Sequence, residues 1–138
     1  MAQAAFKIED AIPACAGMPA IPDEAGRKPV DLAHLARQTL GDVGLEREIL
    51  SLFVVQSQVY LLRLQAAETV EEWRRAAHTI KGSARGIGAW SLAEVAEAAE
   101  GMGGDIHDAA HIEMAATVLQ RICAANAYVR ELFDACEG

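Results

Sequence analysis

The sequence predicts an all-α protein, an antiparallel up-down four-helix bundle with one short extra helix at its N-terminal end. Three observations predict it. Apolar residues recur at three- and four-residue steps over long segments, and no segment alternates as a half-buried strand does. Aromatic residues make up only 5% of a chain that is 52% hydrophobic, so alanine and the aliphatics supply the apolar mass, as close-packed helices require. Capping and stopping residues divide the chain after residue 30 with short connections, which makes successive helices antiparallel neighbours.

Residues 1–30 contain all four prolines (Pro13, Pro19, Pro22 and Pro29) and read as an arm or linker, with a short helix expected near Ala4–Ala11. Residues 31–138 form the domain, and that length supports one core. "DLAHLARQTLG" opens on an N-cap, Asp31, and closes on a C-cap candidate, Gly41. Leu32, Leu35, Ala36 and Leu40 give it one apolar face. A long helix over about Leu45–Glu68 follows, with Ile49, Leu52, Phe53, Val59 and Tyr60 as its periodic residues.

"TVEE" is a capping box, Thr69 with Glu72, and it opens a helix to about Ile87, where Gly88 is placed to stop it. "SLAE", Ser91 with Glu94, reads as a second capping box for a helix to about Met102. There the core stripe is Leu92, Val95, Ala99 and Met102, with Glu94 and Glu97 solvated. "GMGGD" breaks that helix, and Asp105 is placed to cap a last one to about Ala135. Its seam is Val118, Leu119, Ile122, Ala125, Val129, Leu132 and Phe133, with Cys123 beside it as a small core residue.

Net charge is −8, which argues against a nucleic-acid or anionic-membrane partner, since either needs basic surface. The three cysteines, Cys15, Cys123 and Cys136, have no C-x-x-C spacing and are expected as reduced thiols. The N-terminus carries Lys7, Glu9 and Asp10 where a signal peptide would be apolar. No run reaches the ~20 apolar residues of a membrane span. A cytoplasmic monomer is expected.

The third helix holds the chemistry. At about 100° per residue, Trp73, Ala77, Ile80, Ala84 and Ile87 fall on one buried stripe, and His78 lies about 140° away on the solvent side. Arg74, Lys81 and Arg85 share the broad side of His78 at helical neighbour spacing, a local cationic row. Gly82 lies nearly opposite the core, one turn from the imidazole, at a position where alanine would serve a plain helix face better by about 1 kcal/mol. An exposed imidazole among cations, with bulk removed beside it, fits phosphoryl transfer. The neutral ring is a usable nucleophile, and cations stabilise the oxygens it receives. The chain has no Gly-rich phosphate loop, Rossmann fingerprint or HExxH, so a partner must bring the phosphoryl group.

"AAHTIKGSARGIGAWSLAEVAEAAE", residues 76–100, resembles the histidine-containing phosphotransfer (HPt) domains of bacterial multistep two-component phosphorelays. The matching residues are Ala77-His78, Ile80, Lys81-Gly82-Ser83, Gly88, Leu92 and Glu100. In helix layout the resemblance covers about residues 31–136 and leaves the arm unexplained. It implies that His78 is phosphorylated through Nε2. Lys81 would contact the phosphoryl oxygens, and Gly82 would let a receiver domain approach. Glu100 would hold Nδ1 and fix the tautomer, with the rival reading an ordinary surface glutamate. Arg74, Gly82, Ser83 and Arg85 are expected at the docking surface. The implied partners are the receiver domains of a hybrid histidine kinase and of a response regulator, which supply the acidic pocket and the Mg²⁺. The chain itself would hold no cofactor or metal and would be a carrier, not an enzyme with its own ATP site. Two other readings remain: a module that docks a receiver without relaying phosphate, and the phosphotransfer domain of a larger histidine kinase.

His107 and His111 share a face at i, i+4, but no third metal ligand is at a known spacing, so both are expected to be solvated. His34 is expected to be partly exposed near the third helix. Trp73 reads as packing, and Trp90 as a lid on the bundle end or an apolar contact for a partner.

Overall fold

The computed structural model describes residues 26–137. Five helices follow one another: α1 Leu32–Thr39, α2 Val43–Gln65, α3 Val70–Ile87, α4 Trp90–Glu100 and α5 Ala109–Glu137. Helices α2 to α5 pack in a ring, each against its sequence neighbours and α5 back against α2, while α1 lies across α2 and α3. This is the four-helix bundle with a short extra helix. Among the described residues there is no strand, and no helix is long and apolar enough to cross a membrane. The helix expected near Ala4–Ala11 falls outside the described residues.

The caps explain most of the boundaries. Asp31 caps α1, its Oδ1 accepting from the His34 backbone N–H at 3.1 Å. The helix ends at Leu40, in the left-handed region at φ 54°, one residue before the expected Gly41. Asp42 caps α2, accepting from Leu45 N–H. Thr69 caps α3 by accepting from Glu72 N–H at 3.1 Å, and Glu72 reaches back to the N–H of Glu68 at 2.8 Å, which completes the box one residue further out than expected. Gly88, at φ 78°, ends α3, and the Ala89 N–H reaches back to the Ala84 carbonyl at 2.8 Å.

Two expected caps are not made. α4 begins at Trp90, with Ala89 in the cap position and no side-chain cap. The Gly88 turn is so tight that the new helix starts before Ser91 can act, and Glu94 instead takes the guanidinium of Arg27 at 2.8 Å. At the start of α5 it is Asp108, not Asp105, whose carboxylate accepts from a first-turn N–H, that of His111 at 2.9 Å. Asp105 shapes the preceding turn through His107 N–H.

The core holds Phe53, Val54, Leu61 and Leu64 from α2, Trp73, Ala77, Ile80, Ala84 and Ile87 from α3, Leu92 and three alanines from α4, and Val118, Ile122, Ala125 and Val129 from α5. The α3 and α5 faces are those expected. On α2 the buried face is Leu50, Phe53, Val54, Ser57, Leu61 and Leu64, while Leu52 and Val59 face outward, 53% and 41% exposed. Phe53 is buried and Ile49 and Tyr60 pack half-buried against the core as expected, whereas Leu52 and Val59 do not, because the helix is apolar all round and periodicity does not single out one side. On α4 the buried face is Leu92, Ala93, Ala96 and Ala99, turned toward the alanines, with Val95 and Met102 half-buried. Small side chains let α4 lie close on α3.

His111 is buried, not solvated. Its Nδ1 lies 2.7 Å from Asp108 Oδ1 and its ring meets Trp73 edge-on at 4.8 Å. Pairing with Asp108 gives the imidazole a polar partner that spacing alone did not reveal. His107 is exposed. Cys123 is fully buried and disulfide-bonded, where reduced thiols were expected. Disulfide formation depends on how cysteines approach in space, which their spacing along the chain does not show.

Candidate functional site

α3 positions the imidazole. Its buried stripe orients the helix, and His78 follows Ala77 onto the outer surface, with 68% of its side chain exposed. α4 runs antiparallel beside it. Because α4 is rotated toward Ala93 and Ala96, Glu100 at its last turn comes round to face α3, with 27% of its side chain exposed.

Glu100 is the hub. Its Oε2 lies 2.6 Å from His78 Nδ1, and its Oε1 accepts from Lys81 Nζ at 2.5 Å. The Lys81 ammonium, followed by the His78 hydrogen bond, holds the Glu100 carboxyl below the usual carboxylate range, against a desolvation effect that raises it. An ionised carboxylate only accepts, so in the neutral imidazole Nδ1 carries the proton and donates it to Glu100. Nε2 is then left with its lone pair on an exposed ring edge. An acceptor-bound Nδ1 and a bare outer nitrogen make a directed nucleophile.

The cationic row is less bare than the sequence suggests. Lys81 is only 14% exposed and is bound to Glu100. Arg85 lies 3.5 Å from Glu97, which is solvated as expected, and both side chains stay more than half exposed. The Arg74 guanidinium leans toward the α4–α5 connection, 3.4 Å from where a side chain on Gly103 would begin. Helix α4 thus lays glutamates along the row, and the surface beside His78 is mixed in sign. Ser83 is half-buried. Five residues on from His78, it lies about 140° round the helix, so the structure does not bring it beside the imidazole.

Gly82 and Gly86 are exposed, and a Cβ built on either meets nothing within 4 Å. Neither is glycine because its own chain crowds it. Gly88 is the opposite case. A Cβ there would lie 2.7 Å from Asp31 Cβ and 3.0 Å from the Asp31 carbonyl oxygen, and its own carbonyl accepts from Asp31 N–H at 3.0 Å.

Asp31 therefore does more than cap α1. Its Oδ2 accepts from the Trp90 indole N–H at 3.0 Å, and this bond, then the His34 N–H, holds its carboxyl below the usual range. His34, half-buried, donates from Nε2 to the Arg85 carbonyl at 2.9 Å and meets Trp90 edge-on at 4.8 Å. Asp31, His34 and Trp90 together lock the C-terminal end of α3. The cap role of Asp31, the place of His34 beside the third helix and that of Trp90 at the bundle end were expected from the sequence, whereas the hydrogen bonds that join them were not. Trp73 packs as expected, with its indole N–H on the Ala99 carbonyl at 2.8 Å. That bond fixes α4 one residue before Glu100.

The family model of the Hpt domain matches residues 48–135. Neither the curated proteins nor the solved structures contain a match to the chain.

Proposed function

The chain belongs to the Hpt domain family, and from that premise we propose that it is a phosphorelay intermediate whose His78 accepts a phosphoryl group from the aspartate of one receiver domain and passes it to another. The observation that carries the proposal is the imidazole with Nδ1 held by Glu100 and Nε2 open to solvent.

In the accepting step the Nε2 lone pair attacks phosphorus of the receiver's acyl phosphate. An N–P bond forms, the P–O bond to the aspartate breaks, and the aspartate leaves as a carboxylate. Nδ1 keeps its proton, so the phosphorylated ring carries a positive charge that the adjacent Glu100 carboxylate offsets. Lys81 has three N–H donors and uses one on Glu100, which leaves capacity for the phosphoryl oxygens. Transfer to a second receiver reverses these steps. The Mg²⁺ and the acidic pocket belong to the receivers. The chain contributes a held nucleophile and a surface that can be approached closely at Gly82. This role needs no ATP site and no cofactor in the chain, and it places the protein in the cytoplasm with its receivers.

The test is transfer from a phosphorylated receiver. Acid-labile, base-stable label on the wild type and none on His78→Gln is expected. Label on His78→Gln would overturn the assignment.

A further inference from the structure

Helix α4 carries the carboxylate that holds His78, and little in its own packing fixes its rotation. Its buried face is Leu92, Ala93, Ala96 and Ala99, so past the first turn its fully buried side chains are methyl groups, with the half-buried Val95 at their edge. Such a face lets the helix lie close but interdigitates little with its neighbours. Side-chain ends lie about 5–6 Å from a helix axis, so a turn of about 20° displaces them by about 2 Å. That displacement would carry Glu100 out of hydrogen-bond range of His78 Nδ1, which it meets at 2.6 Å.

We propose that Trp73 is a positioning residue for the nucleophile: its indole N–H grips the peptide from which Glu100 hangs, and so sets the rotation of α4 that brings the carboxylate to Nδ1. The role deepens the reading of His78 as the phosphorylated residue and rests on it for the transfer step alone.

The first support is the bond itself. Trp73 Nε1–H donates to the Ala99 carbonyl at 2.8 Å, with Trp73 3% exposed and Ala99 fully buried. That carbonyl and the backbone nitrogen of Glu100 belong to one planar peptide, so a hold on one is a hold on the other. It is a last-turn carbonyl, of the kind a helix leaves without an intrahelical partner, and the chain leaves the helix at Gly101. It also accepts the Met102 N–H at 3.1 Å, a bond that ties the turn to no other helix.

The second is the set of holds. α3 meets residues 99 and 100 at three points: Trp73 on the backbone, His78 on Oε2 and Lys81 on Oε1. The two on the carboxylate act at the end of a flexible side chain, and the one on the peptide acts on the helix itself. The third is the seat of the indole. His111, 1% exposed, meets the Trp73 ring edge-on at 4.8 Å, and Asp108 ties that imidazole through Nδ1 at 2.7 Å and through its backbone N–H at 2.9 Å. His111 Nε2 is buried with no hydrogen-bond partner among the described residues, a cost that phenylalanine would avoid. What the imidazole adds is an anchor: an aromatic edge tied to Asp108 keeps the indole from swinging off the Ala99 carbonyl.

The experiment reads the His78 tautomer by ¹⁵N NMR of the ring nitrogens at about pH 8.5, where an ordinary imidazole is neutral, in wild type, Trp73→Phe and Val129→Ala. Trp73→Phe keeps an aromatic ring and removes the N–H. Val129→Ala opens the buried core toward the other end of α5 and leaves residue 99 untouched. In wild type the proton is expected on Nδ1. In Trp73→Phe the Nε2–H form is expected to rise to a comparable population, and in Val129→Ala to stay minor. The maximal single-turnover rate of transfer from a phosphorylated receiver is expected to fall about three- to tenfold in Trp73→Phe, the loss of one hydrogen bond. The receiver concentration at half-maximal rate should not change, because Trp73 is buried away from any docking surface. A wild-type tautomer in folded Trp73→Phe overturns the proposal whatever the rate. So does a Val129→Ala protein whose tautomer shifts as far, which would make the effect a general loosening. A Trp73 indole proton that exchanges in folded wild type as fast as an exposed indole overturns it without any variant. A wild type that takes no label while its tautomer still responds to Trp73→Phe ends the relay reading and leaves the positioning role in place.

Discussion

Replacing Gly82 should make the protein more stable and a worse phosphoryl carrier. Gly82 lies in the interior of α3, exposed, with ordinary helical φ and no atom within 4 Å of a built Cβ. Gly82→Ala therefore introduces no clash and removes the conformational freedom that glycine brings to the unfolded chain. The gain is about 1 kcal/mol, or a rise of about 3–6 °C in Tm for a domain of this size. Gly82→Gln gains nearly as much, since glutamine is also a good helix former. It differs from alanine in reach: residues four apart have Cβ atoms about 5–6 Å apart on a helix surface, so the amide would stand beside the His78 ring. Denaturant unfolding gives the stabilities, and single-turnover transfer from a phosphorylated receiver gives the rates. Both variants should be more stable than wild type, with Gly82→Ala slowed a few-fold and Gly82→Gln about tenfold or more. Gly86→Ala, in equally open surroundings, is the stability control. A Gly82→Ala protein less stable than wild type would refute the reading of open space. Full-rate transfer by Gly82→Gln would refute the idea that the missing side chain serves a partner's approach.

Other substitutions probe the supports of the site. Glu100→Ala should slow transfer by about tenfold or more, the loss expected when a hydrogen bond to a charged partner is removed, with Glu100→Gln recovering part of the rate; equal rates for all three proteins would remove Glu100 from the mechanism. Gly88→Ala should destabilise the fold by about 2–4 kcal/mol, since it combines a left-handed backbone with a contact on Asp31 that cannot relax cheaply; chemical denaturation reads this directly. Leu40→Gly should stabilise by about 1 kcal/mol, because Leu40 is 94% exposed and pays for a left-handed conformation with no packing in return. Acidification should weaken the fold in a definite direction. Asp31, Glu100 and Asp108 have folded-state values below their ordinary 3.8, 4.5 and 3.8. Their contribution is thus fully present above those ordinary values and is lost as pH falls through the lower folded ones. Unfolding free energy measured from pH 6 down to 3 should fall, and Asp31→Asn should flatten part of that decline.

Much of the molecule was legible before any coordinates. The stripe through Trp73, Ala77, Ile80, Ala84 and Ile87 placed His78 on the surface because a helix repeats at a fixed angle, and every residue of that stripe is buried. The caps Asp31, Thr69 and Gly88 were readable because capping joins residues three to five apart. α2 was misread where it is apolar on both sides, since a pattern without contrast has no phase. The capping box at Ser91 failed because a good local motif lost to the turn that delivers the chain to α4.

Sequence alone determined the helical class, the exposed histidine and the bare position at Gly82, all of which follow from contacts within one helix. Tertiary structure decided which glutamate each cation meets, that Glu100 and not another acid of α4 holds Nδ1, that His111 is buried on Asp108 and Trp73, and that Asp31, His34 and Trp90 join across the bundle end. The reason is range. Periodicity and capping act over at most about two turns of helix, whereas Glu100 reaches His78 across 22 residues of chain and Trp90 reaches Asp31 across 59, and those meetings depend on how far each helix rotates when its small and large side chains pack.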